Sequence, residues 1–316
     1  MPRARPRRGA ARLRAGALVA AVLGAALAMP GPASAASDPF ARGIDPLGSK
    51  LAVGWDSFLT VEGARTPPAG SFRLALAADF AAGLMSVRLA DEKLGDLLEN
   101  RLDLHLMAAW APFDVLEIGV DLPVTVWQAH GFDRLDREGF PDTHPASSGM
   151  GDVRLLGKLR LVSETSSPVG VALLAEARLP TGREDSFMGE RGLVLAPRAV
   201  VERTFGEALR LGFEGGYRMR NDPGQYLNLY VGDELTFSLA GSYRLDPTWT
   251  TYAELLTATP SRAPFTSKSA DALKTPLEAL AGVRARIGDG FEALAGAGTG
   301  IAGESGMGRE SFRLFA

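Results

Sequence analysis

Residues 151–182 read GDVRLLGKLRLVSETSSPVGVALLAEARLPTG, and their alternation decides the fold class. In the first half Val153, Leu155, Leu159 and Leu161 share one face, while Asp152, Arg154, Lys158 and Arg160 share the other. In the second half Val169, Val171, Leu173, Ala175, Ala177 and Leu179 line up against Glu176 and Arg178. A period of two belongs to strands and not to helices. The linker SETSSP at 163–168 consists of turn-forming residues. The stretch therefore predicts an antiparallel hairpin with one apolar and one charged face. A soluble sheet buries the first face and wets the second. A membrane barrel turns apolar residues to lipid and charges to its lumen.

The same alternation extends outward in both directions. Upstream, Phe72, Leu74 and Leu76 oppose Arg73, with Asp79 further along. Leu102, Leu104 and Leu106 oppose Asp103 and His105, and Ile118, Val120 and Leu122 oppose Glu117 and Asp121. Downstream, a weaker segment around Leu193 to Arg203 holds Pro197, with Arg198 and Glu202 on one face. Leu209, Leu211 and Phe213 then oppose Arg210, Glu214 and Arg218; Leu235, Phe237 and Leu239 oppose Glu234 and Arg244. Leu255 lies against Glu254, Val283 against Glu278, Arg284 and Arg286, and Phe291 against Glu292. The pattern predicts about twelve strands of roughly ten residues, the length that crosses a bilayer at a tilt.

The connections alternate long and short. Long ones run over 83–100, 128–150, 181–192, 221–232, 259–275 and 301–310, and short ones over 111–114, 163–168, 204–208, 245–248 and 288–290. Short periplasmic turns and longer outer loops are the habit of outer-membrane barrels. A sandwich or lipocalin has no reason to sort its loops this way. Trp110, Tyr217, Tyr243 and Trp249 fall near strand ends, where aromatic girdles sit. The expected fold is all-β: a single antiparallel up-and-down transmembrane barrel of about twelve strands. The competing expectation is a soluble periplasmic β-barrel or sandwich that binds a ligand.

The N-terminal 35 residues fit a cleavable signal peptide. Six arginines between Arg3 and Arg14 precede an apolar run over 15–29, and Ala33-Ser34-Ala35 offers a small-x-small cleavage site. Residues 36–70 have no period and are expected to form a periplasmic lead-in; residues 71–316 form the barrel. Removing the signal leaves 28 basic against 37 acidic residues, a net charge of −9 against −3 for the whole chain. That excludes a basic nucleic-acid footprint. The final segment, 311–316, is too short to cross a bilayer. It is expected to pair over part of its length with the strand after Gly70, and to be the truncated end of a longer protein.

Catalytic and metal motifs are weak. The chain has no Cys, and His105, His130 and His144 match no metal-ligand spacing. Ser305 in GESGMG lacks the flanking glycines of a nucleophile elbow. The glycines of 296–300 lack the GK[ST] of a phosphate loop. A lumen histidine with Ser238 or Ser242 is the one catalytic alternative. No enzyme activity, cofactor or metal is therefore expected. The constellation that stands out is a charged lumen: Asp103, His105, Glu117, Asp121, Arg154, Lys158, Arg160, Glu176, Arg178, Arg198, Glu202, Arg210, Glu214, Arg218, Glu234, Arg244, Glu254, Glu278, Arg284, Arg286 and Glu292. So many enclosed charges require pairing or water. The expected partners are outer-membrane lipid, the barrel-insertion machinery and small hydrophilic solutes.

The run GDVRLLGKLRL, then LPTG with Phe187, Gly189 and Glu190 behind it, resembles porin-like barrels of aromatic-degradation transporters. It is similar also to the N-terminal outer-membrane barrel of OmpA-family envelope proteins. The resemblance implies an outer-membrane location in a Gram-negative cell and either passive solute passage or a structural role with a plugged lumen. Peptidoglycan binding in that family belongs to a C-terminal domain that this chain does not contain, so it is not implied here.

Overall fold

The alternating segments form a closed antiparallel barrel of 12 strands. The computed structural model describes residues 43–89, 92–131, 145–226, 229–262, 264–265, 275–288, 290–302 and 311–316. The expected signal peptide, His144 and Ser305 lie outside the described residues. The strands are β1 (Phe72–Leu89), β2 (Glu92–Phe113), β3 (Leu116–His130), β4 (Val153–Val162), β5 (Gly170–Leu179) and β6 (Val194–Phe205). They continue as β7 (Leu209–Arg220), β8 (Glu234–Arg244), β9 (Trp249–Pro260), β10 (Leu277–Ile287), β11 (Phe291–Ala302) and β12 (Phe312–Phe315). Each strand pairs with its neighbour in sequence, and β12 closes the ring by pairing with β1.

The phase of the alternation follows the charges. Leu104, Leu106, Leu122, Leu155, Leu211, Phe213, Leu239 and Leu255 are exposed outside the barrel. Asp103, His105, Asp121, Arg154, Arg210, Glu214 and Glu254, one residue away, are buried inside. An apolar belt around the whole circumference suits lipid and is an aggregation liability in water. It argues against the soluble-binder expectation. At the short-turn end Phe72, Trp110, Phe113, Phe205, Tyr243, Trp249 and Phe291 are exposed as a ring, the place for an interfacial girdle. Tyr217 sits near the other end, where its hydroxyl donates to Asp233 at 3.0 Å.

Three local features interrupt the regular pattern. The stretch 83–100 is largely paired: β1 and β2 continue their ladder out to Leu89 and Glu92, with register shifts beyond Ala82. Gly83, at φ 69°, provides the left-handed backbone where the register slips. In β6 the ladder to β7 skips Ala196 and Pro197, because proline has no N–H to give. In β12 Phe315 points inward and packs in the lumen. Its strand pairs Phe312–Phe315 with Asp79–Ala82, and Ala316 exchanges backbone bonds of 2.8 and 3.0 Å with Ala78. The closing strand is thus paired over part of β1, as expected; below that level β1 is laddered to β2.

The largest departure concerns residues 43–70. They do not lie outside as a periplasmic lead-in but run through the lumen. At the long-loop end the Gly43 N–H donates to Glu184 O at 3.1 Å, and at the short-turn end the Gly70 N–H donates to Ala111 O at 2.7 Å. Ser57–Val61 form a tight turn, closed by Phe58 N–H to Val61 O at 2.9 Å. Leu51, Val53, Phe58, Leu59 and Val61 pack against Met107, Leu156, Leu174, Val200, Leu256, Leu280 and Phe315 of the wall. Burying each large apolar side chain stabilises this arrangement by roughly 1.5–3 kcal/mol, which a lead-in in water would forgo. The wall makes room with glycine at several contacts. A Cβ at Gly212 would lie 2.8 Å from the Phe58 ring, and one at Gly119 would lie 2.7 Å from Val53 Cγ1.

Candidate functional site

The lumen wall grips the main chain of the inner segment. Glu254 accepts from the backbone N–H of Leu59 at 2.5 Å, from that of Thr60 at 3.1 Å and from the Thr60 hydroxyl at 2.5 Å. Glu117 accepts from Trp55 N–H at 2.5 Å, and Glu202 from Ala64 N–H at 2.8 Å. Cations take the carbonyls. Arg154 donates to Leu51 O at 3.2 Å, Lys158 to Trp55 O at 3.4 Å and Arg210 to Asp56 O at 2.7 Å. Arg284 donates to Ser57 O at 2.8 Å and Arg160 to Thr66 O at 3.4 Å. Arg178 and Arg218 share Gly48 O at 3.3 and 3.1 Å. A chain threaded irregularly through a lumen has no ladder for its backbone groups, and each one left bare is costly. Charged side chains satisfy them with strong, charge-assisted bonds.

Wall charges also pair with one another. Glu176 is shared by Arg178 and Arg198 at 2.8 Å each and by Arg154 at 3.3 Å. Arg154 meets Asp121 at 2.9 Å, Arg198 meets Glu214 at 3.0 Å, and Arg210 meets Glu202 at 2.8 Å. Asp103 takes Arg101 at 2.8 Å and the Thr125 hydroxyl at 2.6 Å. Arg218 reaches Glu234 at 2.8 Å, and Glu278 accepts from Ser49 at 2.7 Å. Arg244, Arg286 and Glu292 are exposed at the short-turn mouth, with Arg286 and Glu292 3.6 Å apart.

His105 Nδ1 lies 3.0 Å from Asp121 Oδ1, and Nε2 is buried with no hydrogen-bond partner among the described residues. Among the described residues no hydrogen bond joins His105 to Ser238 or Ser242. Outside the strands, burial pushes the Asp152 carboxyl up to about 6, against the pull of the Glu190 and Gly182 backbone N–H groups. Asp152 accepts from those donors at 2.8 and 2.9 Å and so ties the loop after β5 to the start of β4.

Several charged residues of this network are absent from the expected lumen set. Arg313 forks onto Asp79 with bonds of 2.8 and 2.5 Å, both side chains fully buried. Arg220 pairs with Glu190 at 3.2 Å and Glu234 at 2.9 Å. Every residue of the inner segment is also missed. A signal for the segment exists in the wall itself. Leu156 stands between Arg154 and Lys158, Val200 between Arg198 and Glu202, and Leu174, Leu256 and Leu280 beside inward glutamates. Inward apolar residues on so many strands demand an apolar occupant. That occupant divides the space inside: a cavity of about 120 Å³ lies on the long-loop side and one of about 1230 Å³ at the short-turn mouth.

No protein-family model and no curated protein matches the chain in sequence. Among solved structures it is similar to an outer membrane channel from Pseudomonas putida F1, with a TM-score of 0.56 and 13% identity over 80% of this chain and 96% of that one. Looser likenesses are the NanC porin, at TM-score 0.48 and 9% identity over 76% of this chain and 98% of that one, and the CymD monoaromatic hydrocarbon channel, at TM-score 0.39 and 12% identity over 89% and 96%. The OmpA side of the resemblance finds no support among them. What the likeness shows is a shared architecture: this chain has the fold of an outer-membrane channel barrel.

Proposed function

We propose that this protein is a porin-like channel of the outer membrane that passes small hydrophilic solutes and is held closed, in the state described, by its own residues 43–70. The observation that carries this reading is the nature of the grip. Wall charges hold the occupant mainly by hydrogen bonds to its main chain, bonds that water can replace when the segment moves. A wall left behind by that movement would present its arginines, lysine and glutamates to water, with inward apolar residues such as Leu156 and Val200 between them, and such charges suit a hydrated lumen. A second reading, a structural envelope barrel with a permanent filling, is favoured by the apolar cluster around Phe58 and Leu59. Swelling of liposomes that hold the refolded protein separates the two. The channel reading expects uptake of small sugars and amino acids above that of empty liposomes. Swelling no faster than the control, with the protein shown to be folded by its heat-modifiable gel migration, supports the structural reading.

A further inference from the structure

The charges along the lumen largely cancel, but those of the short-turn mouth do not. The 1230 Å³ cavity there is floored by Trp55, Asp56 and Arg65 of the inner segment and walled by Arg73, Arg160, Arg244, Arg284 and Arg286. Carboxylates on its lining are few and already engaged. Asp56 is held by Arg65 at 3.3 Å and Arg210 at 3.2 Å. Glu164 meets Arg65 at 2.8 Å and accepts the Thr204 N–H at 2.6 Å. Glu292 stands at longer range, 3.8 Å from Arg284 and 3.6 Å from Arg286. Arg73 reaches carbonyls alone, those of Val53 and Gly54 at 3.2 and 2.9 Å, and Arg160 reaches that of Thr66 at 3.4 Å. Among the described residues no carboxylate lies within 4.0 Å of Arg73, Arg160 or Arg244.

We propose that this mouth is a binding site for small multivalent oxyanions, soluble carboxylates or phosphates. A guanidinium carries five N–H donors in a planar fork that matches a carboxylate or phosphate edge. Arg73 and Arg160 line the cavity and use one nitrogen each in these bonds, so the other N–H groups of each fork have no hydrogen bond among the described residues. Several such forks from four strands around one wet space repel one another, and an anion with more than one charge relieves that repulsion at several points at once. The site is one of binding, so it stands or falls separately from solute passage. It also gives the mouth a sign preference that the mixed charges of the lumen lack.

Trp55 lines the cavity and is 40% exposed, so its emission reports occupancy. The refolded full chain is titrated with citrate and with inorganic phosphate at fixed ionic strength, against sodium chloride and a short-chain phosphatidylglycerol. The expected result is a saturable fluorescence change with citrate and phosphate that is absent in Trp55→Phe. Arg73→Gln/Arg160→Gln should raise the half-saturating concentration at least tenfold. Arg244→Gln, at an exposed residue where folding is not at stake, should raise it several-fold. Heat-modifiable migration confirms that each variant is folded. The proposal is overturned if chloride gives the same response, if both variants bind like the wild type, or if the lipid alone produces the change.

Discussion

Glu254 holds the tip of the inner turn without a cation of its own. Its carboxylate collects the N–H groups of Leu59 and Thr60 and the Thr60 hydroxyl, and among the described residues no Lys or Arg lies within 4.0 Å of it. Gln in its place presents an N–H₂ to donors that need an acceptor, which costs about 1–3 kcal/mol. That corresponds to roughly 5- to 150-fold more opening of the turn. The absence of Cys from the chain makes the effect readable. In a Val61→Cys background, Glu254→Gln is expected to speed maleimide labelling by such a factor, because Val61 is 1% exposed while the turn is held. An unchanged rate would mean that apolar packing holds the turn and Glu254 does not.

At the level of the strand, facing is the property most legible in the sequence. A period of two with all charges in one phase places Leu211 in lipid and Arg210 in the lumen, and a one-residue slip would exchange them. Leu211→Arg at mid-barrel is expected to cost roughly 2–4 kcal/mol. Arg178→Leu is expected to be milder, since Glu176 keeps Arg154 and Arg198 after Arg178 is gone. Urea midpoints of the two variants refolded in liposomes check this; equal losses would contradict the assigned phase. The causes of two strand-level features were not legible. The β1–β2 ladder runs on through residues whose alternation is broken by register shifts beyond Ala82, and its buried Leu84, Met85, Leu97 and Leu98 cluster with Ile44, Leu47 and Phe187, partners that lie outside the hairpin. Phe315 breaks the outward phase of Phe312 and Leu314 for a reason outside its own strand: it faces Gly296, whose missing side chain leaves space for the ring.

For the molecule as a whole, the barrel was readable and its contents were not. The wall announces itself by alternation repeated strand after strand. Residues 43–70 have no period, because a segment that is neither strand nor helix obeys the surface it meets and not its own backbone geometry. Leu51, Val53, Phe58 and Leu59 are apolar without pattern, and their complement is scattered over six or more strands as single inward residues such as Leu156 and Leu280. Such matching becomes visible once the wall has closed. The proposed channel depends on this segment, lodged in the lumen, being what stops passage. A Cβ at Gly119 would lie 3.5 Å from Val53 Cβ, within reach of a disulfide, so Val53→Cys/Gly119→Cys ties the segment to β3 in a chain with no other thiol. Planar-bilayer recording of this variant is the direct test. Silence is expected when the pair is oxidised and channel openings when it is reduced; equal currents in both states would show that the segment does not block the lumen.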